Sequence, residues 1–177
     1  MKTLATLLAL LLLSSSLSSS DRDQPVSLKL KDLLGTDQTL AMYKGKVVVL
    51  NFWATWCEPC EEEMHEFVDA NKRFGTNDVV FLAASLDDET SQKNIPKFVK
   101  RQKMTFQVLT GATVEHLREL GLGEGVPGTV ILNRAGKIVA RVLGPISRKE
   151  LRERIEWTLA NDSGDYPMPL LDHFRKR

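Results

Sequence analysis

The chain has 177 residues, of which 42% are hydrophobic and 27% are charged, and its formal net charge is +1. This length and composition are typical of one globular domain with a substantial hydrophobic core. The nearly balanced charge argues against nucleic acid or a strongly charged membrane surface as a binding partner.

The N-terminus has the pattern of a secretory signal peptide. Lys2 precedes a leucine-rich run from Leu4 to Leu13, and a serine-rich stretch follows. A membrane-spanning helix needs ~20 apolar residues, so this run is about half the required length. We expect residues 1–20 to direct export, either as a cleaved signal peptide or as a short N-terminal anchor. Because no cysteine follows the run, a lipid-modified N-terminus is excluded.

Residues 21–160 predict one α/β domain, because strand and helix patterns alternate along them. The predicted strands are residues 26–30, 38–40, 46–53, 79–85, 106–109, 129–132 and 137–143. The predicted helices are residues 58–74, a helix carrying Ile95, Phe98 and Val99, residues 113–120, and a last helix opened by a capping box at residues 147–150. Asp87 and Asp88 are placed to cap the second of these helices. The strand–helix–strand unit at residues 46–85 implies parallel pairing through a right-handed crossover.

Residues 161–177 are predicted to form a C-terminal tail, because they contain two prolines, a glycine and a basic end. The tail either docks on the domain through Leu170, Leu171 and Phe174 or remains loose. The pattern does not distinguish between these two arrangements.

Both cysteines of the chain lie in the run Cys57-Glu58-Pro59-Cys60, where a buried strand leads into an amphipathic helix. At a helix N-terminus, unpaired backbone N–H groups and the macrodipole stabilise a thiolate. A structural disulfide explains the pair poorly, since so short a loop stabilises a fold by only ~2 kcal/mol, against ~4.7 kcal/mol for a long loop. A zinc site is also disfavoured, because His65 is the only further ligand nearby and it lies on the polar arc of the helix. The pattern predicts a dithiol that exchanges electrons, and no bound metal.

The run NFWATWCEPC at residues 51–60 resembles the thioredoxin superfamily, and within it the exported TlpA/ResA/CcmG-like thiol–disulfide oxidoreductases. Residues 125–129 (GVPGT) resemble the cis-proline loop of that family. The resemblance covers about residues 26–159. It implies a thioredoxin fold, with a central mixed sheet flanked by helices, an N-terminal β-hairpin and an inserted helix. It also implies a redox-active Cys57–Cys60 disulfide, no bound cofactor, and protein disulfides as substrates, apocytochrome c among them, with a membrane-embedded thiol as electron donor.

The two cysteines are expected to have different roles. Cys57 precedes the helix and is the expected attacking thiolate, with a pKa below that of a free thiol. Cys60 lies one turn into the helix and is expected to resolve the mixed disulfide. Pro59 fits the first turn, which leaves an N–H unpaired in any case, and it stiffens the ring that the dithiol closes.

Glu63 is predicted to be a third catalytic group. It shares the apolar arc of the helix with Phe67 and Phe74, one turn after Cys60, so burial should raise its pKa. It resembles the buried glutamate that follows the second cysteine in ResA-like proteins. Asn51 occupies the strand position where cytoplasmic thioredoxins carry a buried acid, and an amide cannot titrate. The alternative is an edge residue whose carboxyl reaches water.

The acidic side chains around the helix start favour a reducing pair. Glu58, Glu61, Glu62 and Glu63 stabilise the helix dipole but oppose a thiolate on Cys57. Because ~30 mV of reduction potential corresponds to about 1.4 kcal/mol, a few such interactions can decide the direction of electron flow.

Four residues are predicted to contact the substrate: Trp56, Pro59, Val126 and Pro127. An X-Pro bond adopts the cis form at low cost, and the backbone of Val126 could then pair with an extended substrate strand. Gly128 departs from the threonine common at this position of the family, which predicts a looser grip on the substrate.

The resulting prediction is an exported protein disulfide reductase, with a function in cytochrome c maturation. Two alternatives remain open at this stage. One is a dithiol oxidant of the same fold, which a very low Cys57 pKa would favour. The other is a copper chaperone, although chaperones of similar fold use a longer C-x-x-x-C spacing with a histidine.

Overall fold

The computed structural model describes residues 25–76, 78–161 and 166–175. The predicted signal peptide or anchor, residues 1–20, lies outside these ranges. Within the described ranges, no helix combines the length and the apolar character that crossing a membrane requires.

The described residues form eight strands and four α-helices. The strands are β1 (Lys29–Asp32), β2 (Asp37–Thr39), β3 (Val47–Trp53), β4 (Val79–Ser85), β5 (Gln107–Thr110), β6 (Gly128–Leu132), β7 (Ile138–Leu143) and β8 (Leu170–Asp172). The helices are α1 (Glu58–Phe74), α2 (Ile95–Gln102), α3 (Val114–Glu119) and α4 (Arg148–Ala160).

The strands make one mixed sheet in the order β2-β1-β5-β4-β3-β6-β7-β8. The three strands β3, β4 and β5 are parallel, whereas β6 runs antiparallel to β3. The register pairs Phe52 of β3 with Gly128 of β6. The end of β3 that leads to the cysteines therefore lies beside the start of β6, which follows Pro127.

The sheet separates two hydrophobic clusters. One contains buried residues of α1, α2 and α4, and the other contains Leu117 of α3. Successive side chains of a strand point to opposite faces of the sheet, so β3 contributes to both clusters. Its residues on the α1 face are Val47, Val49 and Trp53, and those on the α3 face are Val48, Leu50 and Phe52. The alternation also places Asn51 on the α1 face.

This architecture confirms the predicted fold class, a mixed sheet flanked by helices with an N-terminal hairpin and an inserted helix, α2. The strand predicted at residues 26–30 begins later, at Lys29, because β1 extends only as far as its backbone pairs with β2 and β5. The Val26 N–H donates instead to the carbonyl of Gly136 (3.1 Å), which lies in the turn between β6 and β7. The second hairpin strand ends at Thr39, where a 3₁₀ turn begins.

Part of the predicted C-terminal tail docks on the domain. β8 pairs in parallel with β7 and extends the sheet at that edge. Before β8, the Tyr166 ring packs edge-on against Trp157 of α4, with 5.7 Å between the ring centroids. The described part of the tail is thus an additional edge strand anchored by an aromatic contact.

Candidate redox site

Cys57 and Cys60 form a disulfide, with an S–S distance of 2.04 Å and 5.3 Å between their Cα atoms. Cys57 is the N-cap of α1, and its sulfur accepts a hydrogen bond from the Cys60 N–H (3.2 Å). The same donor can stabilise a thiolate on Cys57 once the disulfide is opened. Cys60 is 0% exposed and Cys57 is 6% exposed. Both cysteines are buried, and of the two only Cys57 keeps an exposed part that an incoming thiol or disulfide can approach.

Hydrogen bonds to Asp87 hold the loop before Cys57 in place. Thr55 donates its N–H (2.9 Å) and its hydroxyl (2.5 Å) to the Asp87 carboxylate. The Ser85 hydroxyl at the end of β4 donates to the same carboxylate (2.6 Å). Because Asp87 is buried, these bonds satisfy a carboxylate that would otherwise be costly to bury. They fix the approach of the chain to the disulfide.

The predicted capping role of Asp87 and Asp88 is wrong. Asp88 instead closes a turn ahead of α2, and the hydrogen bonds from Thr90 and Ser91 lower its pKa to about 2. α2 itself begins after Asn94, which makes no side-chain capping bond. The residues between the two aspartates and α2 are too many for either carboxylate to reach the helix N-terminus.

Glu63 is buried, 4% exposed, on the face of α1 that packs on the sheet. Its carboxylate accepts hydrogen bonds from the Asn51 amide (2.8 Å) and from the Ile146 N–H (2.8 Å). Burial raises the pKa of Glu63 to about 8, although both hydrogen bonds act in the opposite direction. The carboxyl thus changes its protonation state close to neutral pH, one helical turn after Cys60.

Asn51 links Glu63 to the neighbouring strand. Its amide nitrogen donates both to Glu63 and to the hydroxyl of Thr129 on β6 (3.2 Å). Its amide oxygen has no hydrogen-bond partner among the described residues. This arrangement suits an ionised Glu63, because a carboxylate only accepts hydrogen bonds. After protonation, Glu63 would need an acceptor, which a rotated Asn51 amide can supply.

The Val126–Pro127 peptide bond is cis. Pro127 is buried, and its carbonyl accepts a hydrogen bond from the Gly144 N–H (2.9 Å). At Gly128 an added Cβ would stand 3.3 Å from a Leu122 side-chain carbon. Glycine at position 128 therefore allows β6 to pack closely against Leu122. This packing, and not a looser loop, is the reason for the glycine.

A groove of about 1150 Å³ reaches Trp56, the residue before Cys57, although neither cysteine lines it. It is lined by Trp56, by Val126, and by parts of the segments at residues 29–31, 86–89, 110–114 and 124–125. Trp56 is 63% exposed, next to the accessible cysteine. Of the four predicted substrate contacts, Trp56 and Val126 line this groove. Pro59 and Pro127 do not appear in its lining among the described residues.

The acidic residues near the helix start do not all lie free in solvent. Glu61 forms an ion pair with Arg101 of α2 (2.8 Å) and accepts a hydrogen bond from Gln102 (3.2 Å). His65 lies on the solvent face, with its imidazole 3.0 Å from the carboxylate of Glu66. Within the described ranges, no group of three or more His, Cys, Asp or Glu side chains is arranged to hold a metal ion.

Two elements of the site were missed in the sequence. The first is the contact of Asp87 with Thr55, since the sequence predicted Asp87 only as a helix cap. The second is the segment Gly144–Ser147, whose backbone contacts both Pro127 and Glu63. A Gly-Pro pair after a strand indicates a turn, but the sequence contains no sign of where that turn packs.

Comparison with known proteins gives consistent results. A profile of the AhpC/TSA family matches residues 22–141. The chain is 31% identical over 127 residues to the thiol–disulfide oxidoreductase ResA of Geobacillus thermodenitrificans, covering 72% of this chain and 71% of that protein. It is 27% identical to the sporulation thiol–disulfide oxidoreductase A of Bacillus subtilis, covering 76% of this chain and 79% of that protein.

Solved structures agree with the fold. The crystal structure of StoA from Bacillus subtilis superposes with a TM-score of 0.60 at 27% identity, over 73% of this chain and 96% of that chain. A thioredoxin-family thiol:disulfide interchange protein from Chlorobium tepidum superposes with a TM-score of 0.65 over 77% of this chain and 97% of that chain. At 24% identity, the second likeness concerns the fold alone.

Proposed function

We propose that this chain, which belongs to the AhpC/TSA family and is a thiol–disulfide oxidoreductase of the ResA and StoA type, reduces protein disulfides outside the cytoplasm. The observation that carries this proposal is the unequal burial of the two cysteines. Cys57, the N-cap of α1, keeps 6% of its surface exposed, whereas Cys60 is fully enclosed. This arrangement favours an ordered exchange of two electrons over metal binding or structural cross-linking.

The reaction proceeds in two exchanges. The Cys57 thiolate attacks one sulfur of the substrate disulfide, and the other substrate sulfur leaves as a thiolate. The Cys60 thiolate then attacks the Cys57 sulfur, which closes the Cys57–Cys60 disulfide and releases the second substrate sulfur as a thiolate. Two electrons pass from the dithiol to the substrate. An external dithiol donor restores the reduced pair by the reverse exchanges.

Glu63 is the proposed proton carrier for Cys60. The buried Cys60 must lose its proton before it can attack, and solvent does not reach it. A group with a pKa close to the working pH can both accept and return a proton. Glu63 combines a pKa of about 8 with a position one turn from Cys60 on the same buried face.

The substrate is proposed to bind as an extended segment beside Cys57. Trp56, the residue before Cys57, and Val126 line one groove, so both can contact residues that flank the substrate cysteine. The Val126 backbone, just before the cis bond, offers hydrogen bonds to an extended chain. Pro127 sets the path of this loop, and Pro59 shapes the surface between the cysteines.

The direction of electron flow is proposed to be reductive. Glu58 and Glu62 are exposed near the helix start, and negative charge there disfavours the Cys57 thiolate, whose stability would make the pair an oxidant. The leucine-rich residues 1–20 support a location outside the cytoplasm, as a secreted or anchored protein. There we propose apocytochrome c as a client and a membrane-embedded thiol protein as the electron donor.

Two measurements test this function. The first is turnover of oxidised insulin by the full chain with dithiothreitol as donor, compared with a variant in which both cysteines are serine. We expect the native chain to reduce insulin faster than the uncatalysed reaction, and the double-serine variant not to do so. Equal rates for the two proteins would refute the proposal.

The second measurement is the reduction potential of the Cys57–Cys60 pair against a glutathione or dithiothreitol buffer. A reductant should have a potential near that of cytosolic thioredoxin, ~−270 mV, or below it. A value near ~−120 mV would instead assign the protein as an oxidant.

A further inference from the structure

The C-terminal strand β8 finishes at the same end of the sheet's strands as β3, which leads to the disulfide. Because β8 is parallel to β7, Asp172 pairs with Leu143 at the end of both strands. Leu143 in turn pairs with Gly128, which directly follows Pro127. Residues 173–175, which directly follow β8, are therefore placed near the cis-proline loop. The family match ends at residue 141 and does not include them.

The turn after β8 holds its residues in place. The N–H groups of Phe174 and Arg175 donate to the Asp172 carboxylate at 3.0 and 3.1 Å. The His173 N–H donates to the Leu143 carbonyl (2.8 Å), and its imidazole lies 3.3 Å from the carboxylate of Glu150. Phe174 is thus fixed by hydrogen bonds on both sides of its backbone.

The Phe174 ring lies against Gly125, two residues before Pro127. Two ring carbons, Cε2 and Cζ, stand 3.5 and 3.6 Å from the position that a Cβ on Gly125 would occupy. Gly125 also lines the groove that Trp56 and Val126 border. The ring therefore borders the loop that the proposed function assigns to substrate binding.

Nearly half of the Phe174 side chain remains in contact with water, with 49% exposed. Aromatic side chains are enriched in protein–protein interfaces, and this ring stands beside the loop that is proposed to bind the substrate. Trp56, 63% exposed, is a second such ring on the chain next to Cys57. Met168 and Leu170 are exposed to a similar degree, but they lie before and at the start of β8, away from the end of the strands near the disulfide.

We propose that Phe174 is a specificity-determining residue that contacts the substrate polypeptide. It binds an apolar side chain close to the substrate cysteine, and the C-terminal segment thereby extends the binding surface formed by Trp56 and Val126. This inference rests on the proposed function, since it concerns the substrate of the same site. The occupant is an extended segment of a protein substrate, with an apolar residue beside its cysteine.

The test measures the first exchange alone, in a single turnover of the pre-reduced full chain. The substrates are decapeptides whose single cysteine is a mixed disulfide with thionitrobenzoate, followed by either leucine or aspartate. Release of thionitrobenzoate reports the attack by Cys57. Ellman's reagent, which lacks a peptide, is the third substrate.

For Phe174→Ala we expect the rate constant with the leucine peptide to fall about fivefold, as for loss of one aromatic contact. The rates with the aspartate peptide and with Ellman's reagent should stay unchanged. Phe174→Leu should recover part of the loss. The matched control is Met168→Ala, which removes a similarly exposed apolar side chain of the same segment and should leave all three rates unchanged.

Three results would overturn the inference. An unchanged preference for the leucine peptide in Phe174→Ala would show that the ring does not contact substrate. An equal loss with all three substrates would show that it only supports the loop. A dimer of the native chain that Phe174→Ala dissociates, seen by sedimentation, would assign the ring to self-association. None of these results affects the proposed function, which depends on turnover by the native chain.

Discussion

Both faces of α1 carry glutamate side chains, but the surroundings of the two faces are very different. The buried face holds Cys60, Glu63 and Phe67 against the sheet, whereas the opposite face holds Glu62 and His65 in solvent. On the buried face, the carboxyl of Glu63 has a pKa of about 8 because burial penalises its charge. On the solvent side, Glu61 is an ordinary ion-pair partner of Arg101 at 2.8 Å.

This difference shows that residue type alone does not decide the chemistry of this helix. Glu61 and Glu63 are two residues apart, which turns them about 200° from each other around the helix axis. One carboxyl meets a cation and water, and the other meets two hydrogen-bond donors inside the protein. Their positions around the helix therefore decide that Glu61 contributes a stabilising surface charge and that Glu63 is a group able to exchange a proton.

The largest contrast between the faces should appear in stability. Phe67→Ala removes a side chain that is 1% exposed in the core cluster, and we expect the free energy of unfolding to fall by about 3–5 kcal/mol. His65→Ala, on the solvent face, should change it by less than about 0.5 kcal/mol. Urea denaturation of the two oxidised variants measures both values. A loss below about 1 kcal/mol for Phe67→Ala would contradict the packing described for this face.

The second contrast concerns pH. The folded protein holds a proton on Glu63 up to about pH 8, whereas the unfolded chain releases it near the ordinary value of 4.5. Between these values the folded state binds the additional proton, so this group's contribution to stability is fully present below pH 4.5 and is lost as the pH rises through 8. Glu63→Gln should remove that decline, worth a few kcal/mol at about 1.4 kcal/mol per pKa unit.

Urea denaturation of the oxidised protein from pH 5 to pH 9 tests this expectation. The matched control is Glu62→Gln, which removes a carboxyl from the solvent face of the same helix. In the reduced protein, Glu63→Gln should also shift the thiol titration. If the free energy of unfolding of Glu63→Gln declines with pH as steeply as that of the native chain, the Glu63 carboxyl does not carry the proton assigned to it.

The smallest effect should come from the ion pair on the solvent side. Glu61→Gln removes the charge that faces Arg101, and because both side chains are about half exposed we expect a loss of about 0–1 kcal/mol. The loss should shrink further in high salt, since solvent ions screen exposed charges. Denaturation at low and high salt measures it. A loss above about 2 kcal/mol would place this pair among the buried interactions instead.

Local patterns in the sequence predicted a large part of this protein. The helix Glu58–Phe74 and the strand Val79–Ser85 have the predicted bounds, because periodicity and flanking residues specify long, regular elements well. The capping box at Ser147 and Glu150 is also present as predicted. The arc of α1 indicated that Glu63 would be buried, since the position of a residue on a helix is a local property.

Short or edge elements were predicted less well. β1 begins at Lys29 and not at residue 26, because its bounds depend on where β2 and β5 offer hydrogen-bond partners. Asp87 has the sequence appearance of a helix cap but binds Thr55 across the site. The sequence distance between these residues is 32, and no local pattern specifies a contact of that range.

By itself, the sequence determined the α/β class, from the alternation of strand and helix patterns along the domain, and its resemblance to a known family implied the thioredoxin fold. The dithiol at a helix N-terminus and the buried side of α1 followed from spacing and hydrophobic periodicity along a single segment. Only the tertiary structure decided which groups meet around them. Ile146 donates to Glu63, and Phe174 lies on Gly125, because strand order and register bring together segments that are distant in the chain. The physical reason is that periodicity orients a residue relative to its own element, whereas the partner it meets depends on how all the elements pack.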